Sequence, residues 1–233
     1  MSDLPDRRQS GEEMVTVVIP CRNESGALPG VLAELPDGYL ALVVDNGSED
    51  GTAHVARECG AEVVYEPRPG YGSAVHTGIV AARTSIVCVL DGDGSLDPGD
   101  LPVLVGAVRG GADLAVGRRR PVPHVHWPVH ARLANALVAR RLRRRYGLDV
   151  HDIGAARAAR REVLLTLGIT DRRSGYPLEL LVRAARAGLR VEERDVAYRP
   201  RTAGVSKVSG SVVGSVRAAR DFWKVLVLGK ARG

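Results

Sequence analysis

The chain has 233 residues, 45% hydrophobic and 26% charged, enough for one globular domain with a substantial core. Its formal net charge of +6 rests almost wholly on arginine, but aromatics form only 4% of the residues and do not interleave with the arginine clusters. With no helix-turn-helix, zinc-finger or RNA-recognition signature, nucleic acid is excluded as a partner. No apolar stretch approaches the ~18–20 residues that cross a bilayer.

Residues 1–13 are polar, lack the apolar core of a secretory signal and read as a flexible leader. Strands are then predicted at Val15–Pro20, Leu40–Asp45, Glu62–Glu66, Ser85–Asp91 and Ala112–Gly117. Between them fall helices near Gly26–Leu35, Gly51–Cys59, Gly72–Arg83 and Pro98–Arg109. This alternation predicts an α/β fold, a mainly parallel central sheet flanked by helices, with a ligand site at the C-terminal strand ends. From Pro121 the rhythm changes: a long arginine-rich helix over Val129–Tyr146, a strand near Ile153–Ala158, helices near Arg160–Leu167 and Leu178–Ala187, and a strand near Arg190–Tyr198. A loop at Arg199–Gly210 leads to a last helix over Ser211–Leu228. No repeat or linker divides the chain, so residues 14–210 read as one domain, its nucleotide half at 14–120 and its acceptor half at 121–210, followed by an amphipathic helix in 211–233.

The ends of the predicted strands carry the candidate chemistry. Ser85–Leu90 is a short β-branched run that ends in Asp91-Gly92-Asp93. Two carboxylates one residue apart, with no base close in sequence, suit a hard cation such as Mg²⁺ or Mn²⁺ that keeps water and also takes substrate phosphates; the alternative is a solvated turn. The first strand runs into Pro20-Cys21-Arg22-Asn23-Glu24, with neither the G-x-G-x-x-G of a dinucleotide site nor a P-loop. Asp45 ends the second strand, where its carboxylate could accept from a base N–H or a ribose hydroxyl, while Asp50 and Thr52 read as turn and cap residues. Cys21, Cys59 and Cys88 show no C-x-x-C spacing and read as reduced structural thiols of a cytoplasmic protein.

Taken in order, Pro20…Asn23-Glu24, Val44-Asp45-Asn46-Gly47-Ser48-Glu49-Asp50-Gly51-Thr52, Pro69-Gly70-Tyr71-Gly72-Ser73-Ala74 and Asp91-Gly92-Asp93 resemble the motifs of family 2 glycosyltransferases with the GT-A fold. Val116-Gly117-Arg118-Arg119 is similar to the family's Gly-Ser-Arg segment, with Arg118 in place of Ser. Within the family, Asp152-Ile153-Gly154-Ala155-Ala156-Arg157-Ala158 and the run from Tyr198-Arg199-Pro200-Arg201 to Gly204-Val205-Ser206-Lys207 resemble the polyprenyl-phosphate and dolichyl-phosphate sugar transferases. Two alanines stand where that branch has Pro and Phe, and many of its members carry C-terminal membrane helices that this sequence lacks.

The resemblance implies an inverting hexosyltransferase that uses a nucleoside-diphosphate sugar, UDP ahead of GDP. Pro20, Arg22, Glu24, Asp45, Asn46, Gly70, Gly72, Asp91, Gly92, Arg201 and Lys207 would then bind the donor. Asp91 and Asp93 would hold Mg²⁺ or Mn²⁺, with Ser95 at the place of a further oxygen ligand, and Asp93 would be the central catalytic residue. For the acceptor, Arg118, Arg119 and Arg157 suit a lipid phosphate, whereas Glu179 or Asp152 would serve as general base for a soluble hydroxyl acceptor. Glu179 also starts a helix, where a carboxylate is favoured for dipole reasons. A non-catalytic nucleotide-binding module is the alternative of another class.

His124, His126 and His130 lie in a proline-rich loop that reads as an acceptor lid or a plain surface turn, and Arg140–Arg145 reads as a solvated helix face. In the last helix Val212, Val216, Ala219, Trp223 and Leu226 form a stripe flanked by Arg217, Arg220 and Lys224. That stripe fits packing on the domain or peripheral contact with the inner face of the plasma membrane. The arginine-rich, alanine-rich composition resembles that of a GC-rich bacterial genome, and self-association is compatible with the sequence.

Overall fold

A computed structural model describes residues 13–202, apart from 124, 126, 127 and 155, and for residue 130 the backbone alone. Lys207, most of the leader, the Gly204–Lys207 loop, the last helix, His124 and His126 lie outside the described residues.

Strand β1 (Val15–Cys21) is buried along nearly its whole length, as its β-branched run demands of a strand covered on both faces. Helix α1 (Leu28–Ala33) follows, with Pro29 in its first turn, then β2 (Tyr39–Asp45), α2 (Thr52–Glu58), β3 (Glu62–Tyr65) and α3 (Tyr71–Ala81). Next come β4 (Ile86–Val89), a 3₁₀ turn at Pro98–Asp100 running into α4 (Leu101–Arg109), and β5 (Leu114–Pro121). The second half consists of α5 (Val129–Tyr146), β6 (Arg157–Arg160), α6 (Arg161–Thr166), α7 (Tyr176–Arg186) and β7 (Val191–Tyr198).

The seven strands form one sheet in the order β3-β2-β1-β4-β6-β5-β7. Every pairing is parallel except those of β6, which runs antiparallel to both β4 and β5. The predicted strand at Ile153–Ala158 begins only at Arg157, because the preceding residues form a turn: Gly154 has φ +73° and donates its N–H to the Asp152 carboxylate at 3.1 Å. Successive β1 side chains alternate between two cores. Val18 packs with Val44, Ile79, Val87 and Tyr176 on one face, while Val17 and Ile19 pack with Leu28, Val43 and Leu104 on the other.

Between β1 and β4 the strand order reverses, which opens a crevice at the carboxyl ends of those strands. Register carries the ends to the same level: Cys21 lies opposite Asp45, Val18 opposite Val89, and Leu90 N–H bonds the Val18 carbonyl at 3.0 Å. Asp91 therefore emerges beside the end of β1. Gly92 lets the loop close over β1, since a Cβ there would come within 2.6 Å of Cys21 Sγ.

At the start of α3 the chain meets the segment between α6 and α7. Gly72 N–H bonds the Arg173 carbonyl (3.2 Å) and Ser73 N–H the Arg172 carbonyl (2.9 Å). A Cβ on Gly72 would lie 2.6 Å from the Asp171 carbonyl oxygen. The obstacle is backbone, so Gly72→Ala is expected to cost roughly 1–3 kcal/mol by forcing α3 and the 171–173 segment apart. Urea unfolding of the two proteins checks this.

Candidate active site

The loop that follows β4 holds two carboxylates in a largely water-excluded place, with Asp93 5% exposed. Asp93 Oδ1 accepts from Ser95 N–H (2.9 Å), its Oδ2 is 2.7 Å from Arg201 Nη1, and its carbonyl accepts from Thr202 N–H (3.2 Å). Asp91 Oδ1 is buried without a hydrogen-bond partner. Burial and the neighbouring Asp93 push the Asp91 carboxyl up to about 6, against the pull of Arg157, Arg201 and Arg119. Arg157, only 3% exposed, donates to the Tyr71 hydroxyl (3.3 Å) and to the Gly154 carbonyl. The Tyr71 hydroxyl is raised far above its ordinary range by its burial and by the charge of Asp91.

An unpartnered buried carboxylate oxygen is costly unless a cation or donor reaches it. The pair fits Mg²⁺ or Mn²⁺, which needs only one or two protein carboxylates and completes its shell with water and phosphate. Among the described residues no cluster of three or more His, Cys, Asp or Glu is placed to hold a metal. Ser95, 4% exposed, is buried beside the pair.

On the donor side, hydrogen bonds join the β1–α1 and β2–α2 loops. Asn23 (φ +55°) donates its N–H to Ser48 Oγ (3.0 Å) and accepts from Glu49 N–H (2.8 Å); Glu24 N–H bonds Thr52 Oγ1 (2.9 Å). Asp50 Oδ2 accepts from both Ser25 N–H (3.1 Å) and Ser25 Oγ (2.8 Å). Burial raises the Asp50 carboxyl, but bonds from Thr52 and Ser25 outweigh it and hold it at about 2. Asp45, 5% exposed, accepts from Ser48 N–H (3.0 Å), and Pro20 and Arg22 lie at the end of β1, Arg22 exposed.

Asn46 and the two glycines, expected at the donor, hold backbone segments together. Asn46 Nδ2 donates to the Glu66 and Arg68 carbonyls, both at 2.8 Å, and its Oδ1 accepts from Gly70 N–H (2.8 Å). Gly70 has φ +147°, and a Cβ on it would lie 2.2 Å from the Arg172 carbonyl oxygen.

Both candidate bases are engaged in hydrogen bonds within the fold. Glu179 accepts from Thr170 N–H (3.1 Å), Thr170 Oγ1 (3.0 Å), Asp171 N–H (2.6 Å) and Arg183 Nε (2.6 Å). Burial would raise its carboxyl, but these bonds, led by Asp171 N–H, lower it. Glu179 thus ties the segment before α7 to the helix, a role that its position at a helix start had left open. Asp152, 2% exposed, accepts two bonds from the Arg119 guanidinium (2.8 and 2.7 Å) and one from Arg119 N–H (3.0 Å). Those bonds overcome burial and lower its carboxyl. Arg119 is accordingly committed to Asp152, and Arg118 lies 4.0 Å from Glu193. Of the three arginines expected at the acceptor, Arg157 is the one whose charge acts on Asp91 as its largest cationic influence.

Two residues that shape the site escaped the sequence. Tyr71 sits inside the Gly70-Tyr71-Gly72 motif, which is the signal that would have found it. Arg199 pairs with Glu34 (2.8 Å) and with Asp97, and its N–H bonds the Ser95 carbonyl (2.9 Å). That latch holds residues 199–202 against the loop, so that Arg201 reaches Asp93; its partners lie more than a hundred residues upstream and leave no local signal.

An open α/β sheet with one antiparallel strand near its middle, and a carboxylate pair at the switch point, is the architecture of the GT-A sugar transferases. The chain belongs to this class: the model of glycosyl transferase family 2 matches residues 16–168. An uncharacterised glycosyltransferase of Mycobacterium tuberculosis is 63% identical over 214 residues, 92% of this chain and 98% of the relative. The polyprenol monophosphomannose synthase of Mycolicibacterium smegmatis is 34% identical, with 100% of this chain and 99% of the relative covered. Among solved structures, glucosyl-3-phosphoglycerate synthase of M. tuberculosis in complex with Mn²⁺, UDP-glucose and phosphoglyceric acid superposes with a TM-score of 0.75 at 25% identity. That match covers 93% of this chain and 79% of the other.

Because the Asp152 carboxyl is lowered in the fold, its contribution to stability is present above the ordinary aspartate value of about 3.9 and lost as the pH falls below it. At pH 7, Asp152→Asn is expected to unfold roughly 2–4 kcal/mol more easily, the partial exposure of Arg119 keeping this below the cost at a fully buried pair. The gap between the two proteins should narrow below pH ~4 in denaturant titrations across pH.

Proposed function

We propose that the protein transfers a hexosyl group, with inversion, from a nucleoside-diphosphate sugar to a polyprenyl-phosphate acceptor, with UDP ahead of GDP as the leaving group. The observation that carries the acceptor class is the engagement of Glu179 and Asp152, each bonded to an arginine and to backbone N–H groups. A hydroxyl nucleophile needs a base to take its proton, whereas a phosphate arrives ionised and needs cations. Arg157 and Arg201 supply positive charge beside the carboxylate pair, and Arg118 lies in the second half of β5. The polyprenol monophosphomannose synthase relative, similar along its whole length, supports the same reading.

A divalent cation on Asp91 and Asp93 would offset the negative charge that develops on the departing diphosphate. The chain's own part is to hold that site and the donor. Asp45 accepts from the nucleoside, the joined loops around Asn23 and Asp50 keep the pocket wall in place, and Arg201 and Lys207 bond phosphate oxygens. A soluble hydroxyl acceptor is the second reading, favoured by the superposition on a synthase solved with phosphoglyceric acid.

Asp93→Ala should abolish transfer together with Mn²⁺-dependent affinity for UDP or GDP; calorimetry that finds the affinity unchanged would overturn the metal assignment. One labelled donor tested against polyprenyl phosphate, phosphoglyceric acid and soluble extract decides the acceptor, and label found only in a water-soluble product defeats the lipid reading. With a phosphate nucleophile, Glu179→Gln is expected to lower the melting temperature but leave kcat within about threefold, against the 10²–10⁴-fold loss of a missing base.

A further inference from the structure

Tyr71, the first residue of α3, has its backbone clamped on both sides. Gly70 and Gly72 flank it, and a Cβ on either would collide with the 171–173 backbone, 2.2 Å from the Arg172 carbonyl oxygen and 2.6 Å from that of Asp171. The Tyr71 ring packs on the core that contains Ala74, Val89 and Tyr176. A phenylalanine would fill that place equally well, so the hydroxyl needs an account of its own.

That hydroxyl lies between two buried charges. Arg157 Nη1 donates to it at 3.3 Å, and its own proton goes to the Asp91 carboxylate. A phenol oxygen accepts while donating its single proton, so the chain runs one way, from guanidinium through phenol to carboxylate. Arg157 is fixed at its other end by the Gly154 carbonyl, and register sets it opposite Val89, two residues before Asp91. Asp91 Oδ1 has no protein partner. The last torsion of an aspartate is soft and roughly two-fold, so without a donor on one side the carboxylate would have no fixed face.

We infer that Tyr71 is a positioning residue for the cation site: its hydroxyl, held by Arg157, ties down the Asp91 carboxylate and leaves Oδ1 as the oxygen that a divalent cation takes. The inference rests on the reading of Asp91 and Asp93 as that site.

Mn²⁺ binding to the full chain, followed by the paramagnetic resonance of free Mn²⁺ with and without UDP, tests it. Tyr71→Phe keeps the ring and removes only the hydroxyl; it should weaken Mn²⁺ binding about tenfold while the protein still melts cooperatively. Arg157→Lys keeps the charge but gives up the fork that reaches the hydroxyl. It should weaken Mn²⁺ binding at least about threefold in the parent and less than about twofold on top of Tyr71→Phe, because both changes break one chain. Equal affinity in the parent and Tyr71→Phe, or losses that add in the double variant, overturns the inference. Should Tyr71→Phe fail to fold, Arg157→Lys decides: a loss supports the role and unchanged affinity overturns it. Asp93→Ala in the same titration separates the two readings. If it weakens Mn²⁺ binding where Tyr71→Phe does not, the positioning role alone has failed; if it binds as the parent does, or the parent binds no Mn²⁺, the cation site has failed with it.

Discussion

Two carboxylates one residue apart in a buried loop cannot both stay charged without cations close by, and the architecture around Asp91 and Asp93 answers that constraint. Asp93 is met by Arg201 at 2.7 Å and by Ser95 N–H. Asp91 is left with one unpartnered oxygen and a carboxyl raised to about 6, a state that calls for a further positive charge. The loop itself contains no base, so the compensation has to come from elsewhere in the chain.

It comes from the second half, and the antiparallel strand is the means. β6 lies between β4 and β5 with Arg157 opposite Val89, two residues before Asp91. Had the sheet continued in parallel, that guanidinium would have entered at the other end. Beyond β7, the latch of Arg199 on Glu34 and Asp97 fixes the backbone from which Arg201 reaches the pair. The loop after β4 thus supplies the negative groups, and Arg119, Arg157 and Arg201, brought in by β5, β6 and the segment after β7, supply positive ones, with one Asp91 oxygen still unpartnered.

Around this centre the polar side chains are spent on holding backbone. Asn46 fastens the turn after β2 to the segment before α3, Glu179 fastens the segment before α7, and Asp152 fixes the Arg119 guanidinium. Each such carboxylate or amide gives up capacity for ligand chemistry and gains a defined position, the support that a precisely placed site requires.

The sequence by itself determined the β-α alternation, the strand ends that bear Asp45, Asp91 and Asp93, and the family, because these follow from local periodicity and from short motifs whose members lie within a few residues of one another. Tertiary structure alone decided the direction and start of β6, since a short run such as Arg157–Arg160 pairs equally well either way until its neighbours are in place. It also decided the hydrogen-bond partners of Glu179, Asp152 and Asn46. A carboxylate or amide near a crevice reads alike in sequence whether it faces a substrate or a backbone N–H, and only the fold brings Arg119, Asp171 and Gly70 within hydrogen-bond reach.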